Sequence, residues 1–208
     1  MAQIPALFVG SRPQGPEVRN GWFDRAVPVP DGPGIPFREA ASAVPSGGPD
    51  RSPVMVCDCT SLASRTLVPD VLKTMKVRGH DIWFMTWVED ADDLFDSFNT
   101  TAELVVGPYH ASSSDADLKD MLSVSDSFIP AVFVSGGCAV LRKGAAGSPE
   151  DALAGLEHMG FDRICVVDTD GTLRRGILDP EVHIPFFREF SEDYPGDQIA
   201  PLRISPDI

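Results

Sequence analysis

The chain has little positive charge and no long apolar run. It carries 17 basic against 31 acidic residues, a formal net charge of -14, and such a surface repels the phosphates of nucleic acids and of anionic membranes. No stretch approaches the roughly 20 apolar residues that a bilayer-crossing helix needs, and the first residues lack a basic segment followed by an apolar run. We therefore expect a cytoplasmic protein with no nucleic-acid partner and no membrane partner.

Cysteines are also few, and they predict neither disulfides nor a metal site. All four lie on or beside apolar, strand-like runs: Cys57, Cys59, Cys138 and Cys165. Free thiols in such places behave as small hydrophobic side chains in a reducing compartment. Cys57 and Cys59, together with His80, His110 or Cys138, offer metal-ligand types without the paired spacing of a zinc site. Because the sequence also lacks a Walker loop and a dinucleotide fingerprint, we expect no cofactor.

The length of 208 residues and a hydrophobic content of 43% suit one sizeable core, so we expect a single domain over 1–208. Within it, 54–176 repeats one pattern, a short apolar run followed by an amphipathic segment. The predicted strands begin near positions 54, 82, 104, 128 and 163. Spacings of about 25 residues are typical of strand–helix units with parallel strands.

Helix-terminating and helix-capping residues support this pattern. The clearest helix begins at Ser148, has Pro149 in its first turn and ends at Gly160. The other predicted helices are 66–79, 91–98, one capped within 112–114, and a short one over 185–190.

The segment 10–53 has a different composition, with nine prolines and seven glycines. We predict a first strand at Ala6–Val9 before it, and within it mostly loop with a short helix over 37–43. Loops of this length act as lids, bind partners or are plain extensions, and the sequence leaves these three open.

Four pieces of the chain resemble, in order and spacing, the barrel family of phosphoribosyl-formimino-aminoimidazole-carboxamide ribotide isomerase and its cyclase relative. These are enzymes of histidine biosynthesis, and the likeness is greatest to an archaeal side branch of that family. The matching pieces are Val54–Asp58 for the second strand, Leu104–Gly107 for the fourth, Ala152–Gly160 before the sixth, and Asp168–Gly176 for the turn after the sixth.

The resemblance implies an α/β fold of the (β/α) TIM-barrel type with parallel strands. We expect an incomplete barrel of six or seven strand–helix units, the seventh strand over 199–204 with Pro201 at a sheet edge. An open barrel exposes strand edges, so the segment 10–53, the C-terminal helix and tail within 177–208, or a second copy of the chain should cover them. A homodimer is the predicted state.

Parallel barrels place their chemistry at the carboxyl ends of the strands, and the candidate residues fall there. Asp58, Asp168 and Asp170 are the candidate acid–base residues. The candidates for binding a small phosphorylated substrate are Gly107, Ser135, Gly136, Gly137, Gly171 and Thr172. Backbone N–H groups at glycine turns can hold an anion. For Asp58 and Gly107, helix capping and turn formation are the alternative interpretation.

The family's isomerase carries out an aldose–ketose (Amadori-type) isomerisation with two aspartates, one after the first strand and one after the fifth. The corresponding places here are Phe8 or Val9 and Ser135, and none is a carboxylate. The family also holds phosphate after its seventh and eighth strands, and this chain is expected to lack the eighth. Two functions stay open: an isomerase-like enzyme on a phosphorylated sugar or ribotide, or a non-catalytic scaffold for binding or assembly.

The stretch Asp168-Thr169-Asp170-Gly171-Thr172 also resembles the opening motif of haloacid-dehalogenase-type phosphatases. In that family the first Asp is a nucleophile and the second an acid, both beside a Mg²⁺ ion. That fold needs a Lys downstream of the motif, and the chain after Leu173 contains none. A magnesium-dependent phosphatase is the third interpretation.

Overall fold

A closed barrel of eight parallel strands forms the centre of the structure, a computed structural model that describes residues 3–44, 52–68, 80–99, 102–189 and 192–205. With all strands numbered along the chain, the barrel consists of β1 (Gln3–Gly10), β4 (Ser52–Asp58), β5 (His80–Met85), β6 (Ala102–Pro108), β7 (Phe128–Ser135), β10 (Ile164–Asp168), β11 (His183–Phe186) and β12 (Gln198–Pro201). Each strand pairs with the next in this order, and β12 pairs with β1. The α/β barrel prediction is confirmed at this level.

The prediction of an incomplete barrel is not confirmed, because β11 lies where a helix was predicted, and β12, which overlaps the strand predicted over 199–204, is paired on both sides and does not lie at a sheet edge. β11 joins β10 to β12, and β12 pairs with β1 from Gln3 opposite Gln198 to Ala6 opposite Pro201. Both strands are four residues long and contain a proline, so they show almost no alternation of apolar and polar residues. The predicted helix over 185–190 is wrong, since Pro185 lies within β11 opposite Val166.

The middle of the chain follows the predicted pattern. The strands predicted near 54, 82, 104, 128 and 163 are all present, and so are three of the predicted helices, two of them with their expected cap. These helices are α3 (Ala91–Phe98), α4 (Asp115–Val124) and α5 (Pro149–Met159), capped by Asp90, Ser114 and Ser148. A short hairpin, β8 (Cys138–Val140) and β9 (Ala146–Gly147), precedes α5.

The helix predicted over 66–79 lies outside the described residues from position 69 onward. Residues 66–68 are not helical, and a helix that was not predicted, α2 (Cys59–Ser64), follows β4 directly.

The segment 10–53 is not mostly loop, which corrects the prediction. It forms an antiparallel hairpin, β2 (Glu17–Asp24) and β3 (Val27–Pro36), followed by the expected short helix α1 (Phe37–Ala43). β3 tolerates its prolines because it pairs with β2 alone, and the N–H groups on its free edge need no partner strand.

The hairpin is fixed to the barrel along β1 and to the C-terminal tail. β12 pairs with β1 from Gln3 to Ala6, and β2 pairs with β1 farther along the strand, from Phe8 to Gly10. The amide of Asn20 bonds both backbone groups of Ile204, accepting from its N–H at 2.9 Å and donating to its carbonyl at 3.1 Å. β2 therefore extends the barrel wall beyond the end of β12.

Two apolar layers hold the barrel together. Its interior is filled by alternate strand residues, among them Ile4, Ala6, Phe8, Met55, Cys57, Met85, Val106, Ala131, Phe133, Cys165, Val167, Phe186 and Ile199. The outer faces of β6, β7 and β10 pack against α3, α4 and α5 through side chains such as Leu94, Leu118, Met121, Leu153 and Leu156. Burial of this interior is the main stabilising term of the fold.

The barrel closes without outside help, so the open strand edges from which we expected a homodimer do not occur among its described strands. The oligomeric state stays a prediction. Within the ranges given above, no helix is long and apolar enough to span a bilayer.

Candidate functional site

Aromatic side chains from the hairpin fill the carboxyl-end mouth of the barrel. The ring of Phe23 lies 5.1 Å from Phe133 and 5.3 Å from Phe8, measured between ring centroids. Trp22 packs edge-on against Phe186 at 5.3 Å, and its indole N–H donates to the Thr169 carbonyl at 2.7 Å. The face on which barrel enzymes carry their chemistry is thus covered at its centre by a well-packed hydrophobic plug.

Asp58 caps a helix. It is fully buried at the end of β4, where its Oδ1 accepts from the N–H groups of Thr60 at 3.0 Å and Ser61 at 3.1 Å. Its Oδ2 accepts from the Ser61 hydroxyl at 2.6 Å. Burial raises the pKa of Asp58 above its ordinary value, against the opposing effect of these hydrogen bonds. The alternative interpretation of this aspartate, a capping role, matches its contacts.

Asp168 and Asp170 lie together in the loop after β10. The Oδ1 of Asp168 accepts from the N–H groups of Gly171 at 2.9 Å and Thr172 at 3.2 Å, so it shapes the turn that follows it. Asp168 is 4% exposed, and its burial raises the pKa of its carboxyl.

Asp170 is exposed and reaches over the end of β7. Its Oδ2 accepts from the Gly136 N–H at 2.6 Å and lies 3.5 Å from the Ser135 hydroxyl, and its Oδ1 accepts from the Thr172 hydroxyl. Desolvation would raise the pKa of Asp170, but the hydrogen bonds from Thr172 and Gly136 outweigh it and hold the pKa below its ordinary value. The loop after β10 therefore places the Asp170 carboxylate beside the end of β7, the fifth barrel strand, whose own residue at that place is Ser135.

The predicted glycine turns are real and close together. Gly136, Gly137 and Gly171 all have the positive φ that favours glycine, at +58°, +72° and +75°. The Gly137 N–H donates to the Thr172 hydroxyl at 2.7 Å. The structure thus brings together Ser135–Gly137 and Asp168–Thr172, but their N–H groups already have partners within the protein.

Gly107 lies apart from that group, in the outer face of β6. A Cβ at this position would meet the Phe128 ring at 2.9 Å and the Val88 Cβ at 3.3 Å. Its absent side chain makes room for packing in the outer layer, and because Gly107 lies within β6 it does not form the turn given above as the alternative.

Two open clefts lie on the carboxyl-end face, on the side of the last three barrel strands. The smaller, about 280 Å³, is lined by residues that include Asp168, Asp170, Gly171 and Arg175. The larger, about 630 Å³, lies between the hairpin and the ends of β11 and β12. Thr169 and Arg188 line both clefts, so the two are neighbours. Asp58 lines neither.

The larger cleft contains residues that sequence reasoning missed. Arg188 follows β11 and Arg203 follows β12, while Asn20, Asp24 and Asp31 come from the hairpin. Arg188 was not predicted because the sequence indicates a helix over 185–190, and Arg203 was not predicted because it lies within the strand predicted over 199–204, which in the structure ends at Pro201. The sequence does contain one signal for them: each arginine directly follows a short apolar run, and basic residues are few, 17 in the whole chain.

A metal site is not indicated by the described residues, among which no three His, Cys, Asp or Glu side chains are grouped to hold an ion. Asp168 and Asp170 use their oxygens to accept hydrogen bonds within their own loop and from Gly136. The phosphatase interpretation stays a prediction without structural support.

No protein-family model matches the chain, and no curated protein matches it either.

Proposed function

We propose that the chain is a barrel protein related to the ribotide isomerases of histidine biosynthesis, and that it binds a small phosphorylated sugar or ribotide at the carboxyl end of the barrel. The observation that carries this proposal is the cleft of about 630 Å³ with Arg188 and Arg203 in its wall. It is large enough for such a ligand, within the usual range of small-molecule sites of roughly 300–1,000 Å³.

The charge of the two arginines supports an anionic ligand. Both side chains are exposed, and neither forms a hydrogen bond or ion pair with another residue in the described part of the chain. In a protein with a net charge of -14, two unpaired guanidinium groups at one cleft form a local site for a negative group. Guanidinium matches phosphate in a planar, two-bond geometry, and such charge-assisted bonds are the stronger kind.

The position of the arginines supports phosphate in particular. They follow the seventh and eighth barrel strands, the place at which the family that the chain resembles holds its phosphate. Side chains would here replace glycine turns in that role. On the hairpin side of the same cleft, Asp24 and Asp31 offer carboxylates that can accept hydrogen bonds from sugar hydroxyls.

Isomerisation is a second candidate, favoured by the carboxylate of Asp170 at the end of the fifth strand. An ionised carboxylate there could remove the C2 proton of an open-chain aldose. A second group then delivers a proton to C1, and the O2 hydroxyl proton passes to O1, which moves the carbonyl to C2. The first strand offers no carboxylate for the second role. Binding without turnover is therefore the function we favour.

The test is calorimetric titration of the full chain with ribose 5-phosphate and with inorganic phosphate at low salt. We expect both to bind, and Arg188→Ala or Arg203→Ala to weaken each roughly ten- to hundredfold, the loss typical of a charge-assisted hydrogen bond. The matched control is Arg163→Ala, an arginine just before β10 at the opposite end of the barrel, where it bonds the Asp126 carbonyl at 3.0 Å.

Absence of binding by both ligands at millimolar concentration would overturn the proposal, and so would equal weakening by Arg163→Ala. The same samples in D₂O decide between binding and isomerisation. Loss of the C2 proton signal of ribose 5-phosphate, abolished by Asp170→Asn, would establish isomerisation, and a stable signal would leave binding alone.

A further inference from the structure

A third open cleft, of about 240 Å³, lies at the carboxyl ends of β1 and β4, between the hairpin and α2. It is separate from the site described above, because Arg188 and Arg203 do not line it and it shares only Pro30 with the larger cleft. Two of its walls are joined, since the Ser11 N–H after β1 donates to the Thr60 hydroxyl of α2 at 2.9 Å. The third cleft therefore belongs to the packed structure, and the proposed function makes no use of it.

The floor of the third cleft is apolar. Among the residues that line it, Phe8, Pro28 and Cys59 are buried, and Ala63 adds a methyl group from the exposed side of α2. Burial raises the pKa of the Cys59 thiol to about 12, and the neighbouring Asp58 carboxylate acts in the same direction, so the thiol is neutral at physiological pH. The floor thus offers apolar contact and no charge.

Two arginines line the same cleft and share one carboxylate. The Nε atoms of Arg12 and Arg19 lie 3.2 Å and 2.8 Å from the two carboxylate oxygens of Glu17. Glu17 occupies the space beside Gly34, where a Cβ would overlap its carboxyl group. Each guanidinium has five N–H donors, and neither arginine has another hydrogen-bond or ion-pair partner in the described part of the chain. Most donors at this rim are therefore free to meet a ligand.

The charges at the rim leave an excess of one positive charge, because two guanidinium groups face the single carboxylate of Glu17. One negative charge on a ligand neutralises this excess, whereas the two negative charges of a phosphate monoester would exceed it. Guanidinium and carboxylate also pair in a planar, two-bond geometry. The rim therefore suits a carboxylate better than a phosphate.

We propose that the third cleft binds a small carboxylic acid with an apolar body. The carboxylate would lie at Arg12 and Arg19 and the apolar body on Phe8 and Pro28. The volume is below the roughly 300–1,000 Å³ of most small-molecule sites, so it suits a body of one ring. This site is independent of the proposed function, because it uses neither of the arginines that carry that proposal.

The test is an NMR titration of the ¹⁵N-labelled full chain with benzoate, benzyl alcohol and acetate. Benzoate should bind with a Kd of about 1 mM, as expected for so small a ligand, and should shift the backbone amide signals of residues 10–12 and 59–63. Benzyl alcohol has the ring without the charge, and acetate has the charge without the ring. Each should bind roughly tenfold more weakly than benzoate.

Variants locate the ligand in the cleft. Arg12→Gln should weaken benzoate roughly three- to tenfold, and the fold should persist because the Arg12 side chain is 49% exposed. Ala63→Phe, at an exposed position of α2, should fill the cleft and abolish binding. The matched control is Arg38→Gln, an exposed arginine of α1 that does not line the cleft, and it should leave the affinity for benzoate unchanged.

Unshifted amide signals at tens of millimolar benzoate would overturn the inference. Equal affinity for benzyl alcohol, or equal weakening by Arg38→Gln, would contradict it as well. If ribose 5-phosphate shifts the signals of residues 10–12 and 59–63 and benzoate displaces it, the third cleft is a phosphate site and the inference is wrong. A response to ribose 5-phosphate confined to the signals near Arg188 and Arg203 would support two separate sites.

Discussion

The two halves of the barrel are built differently. From β4 to β7 the strands are six to eight residues long, and capped helices follow all of them. β10, β11 and β12 have five, four and four residues, and no α-helix follows β10 or β11 in the described part of the chain. The regular half has strands covered by helices, and the irregular half has both clefts of the candidate functional site. Where loops replace helices, the carboxyl-end face is left open for a ligand.

The hairpin compensates for the short strands of the irregular half. It extends the barrel wall above β12, and its Trp22 and Phe23 fill the space that longer strands would enclose. A surface lid would contribute little to stability, whereas a part of the core contributes as much as a barrel strand. Substitutions in each half can measure this difference.

The largest effect is expected from Phe23→Ala. Phe23 is 4% exposed and touches the rings of Phe8, Phe133 and Phe186, so removing it should cost about 3–5 kcal/mol of unfolding free energy, measured by urea denaturation. The control is Phe95→Ala on α3 in the regular half, where the side chain is 55% exposed and the change should stay within about 0.5 kcal/mol. A loss of unfolding free energy below about 1 kcal/mol for Phe23→Ala would show that the hairpin lies on the surface of the barrel and is not part of its core.

This contrast also explains how much the sequence could predict. Strands of six to eight residues and caps such as Ser148 leave local signals, so the strands β4 to β7 and the helices α3, α4 and α5 were predicted, whereas α2 was not. The pairing of β12 with β1 joins residues almost 200 positions apart, and no local pattern in a four-residue strand with a proline predicts which strand it pairs with. The hairpin was missed because its prolines are typical of loops and are tolerated on the free edge of β3.

The candidate site was predicted in part for the same reason. Asp168, Asp170, Gly136 and Gly171 follow recognised strands and do lie together, as strand-end residues of neighbouring parallel strands should. Arg188 follows β11, which was not predicted, and Arg203 lies inside the strand predicted over 199–204, which in the structure ends at Pro201. The sequence shows His110 only as a metal-ligand type, because an unpaired nitrogen is a property of the packed structure and not of the sequence.

An effect of intermediate size is expected from His110→Phe as a function of pH, because the Nδ1 atom of His110 is buried without a hydrogen-bond partner among the described residues. The ordinary histidine pKa of about 6.5 falls to about 4 in the fold, so between these values the unfolded chain binds a proton that the folded chain does not. The wild-type protein should therefore lose up to about 3 kcal/mol of stability as the pH falls from 6.5 to 4. His110→Phe lacks that loss.

The measurement is urea denaturation of both proteins at several pH values, and the quantity compared is the difference between them. Carboxyl groups whose pKa is raised by burial, Asp58, Asp93 and Asp168, titrate in both proteins and cancel in this difference. The stability advantage of His110→Phe should grow steadily toward pH 4. Parallel curves would mean that His110 has its ordinary pKa and that its environment is solvated.

The smallest effect is expected from Ser148→Ala, which tests the local signals on which the regular half depends. The Ser148 hydroxyl caps α5 by accepting from the Asp151 N–H at 3.1 Å, so its removal should cost about 1 kcal/mol in urea denaturation. Ser123→Ala is the matched control, an exposed serine within α4, where alanine has the higher helix propensity and stability should hold or rise slightly. Equal losses would mean that capping does not distinguish the two positions. A loss at Ser148 alone, well below that of Phe23→Ala, would show that a helix cap in the regular half contributes a small, local amount of stability. The irregular half would then depend on the aromatic side chains of the hairpin for a much larger amount.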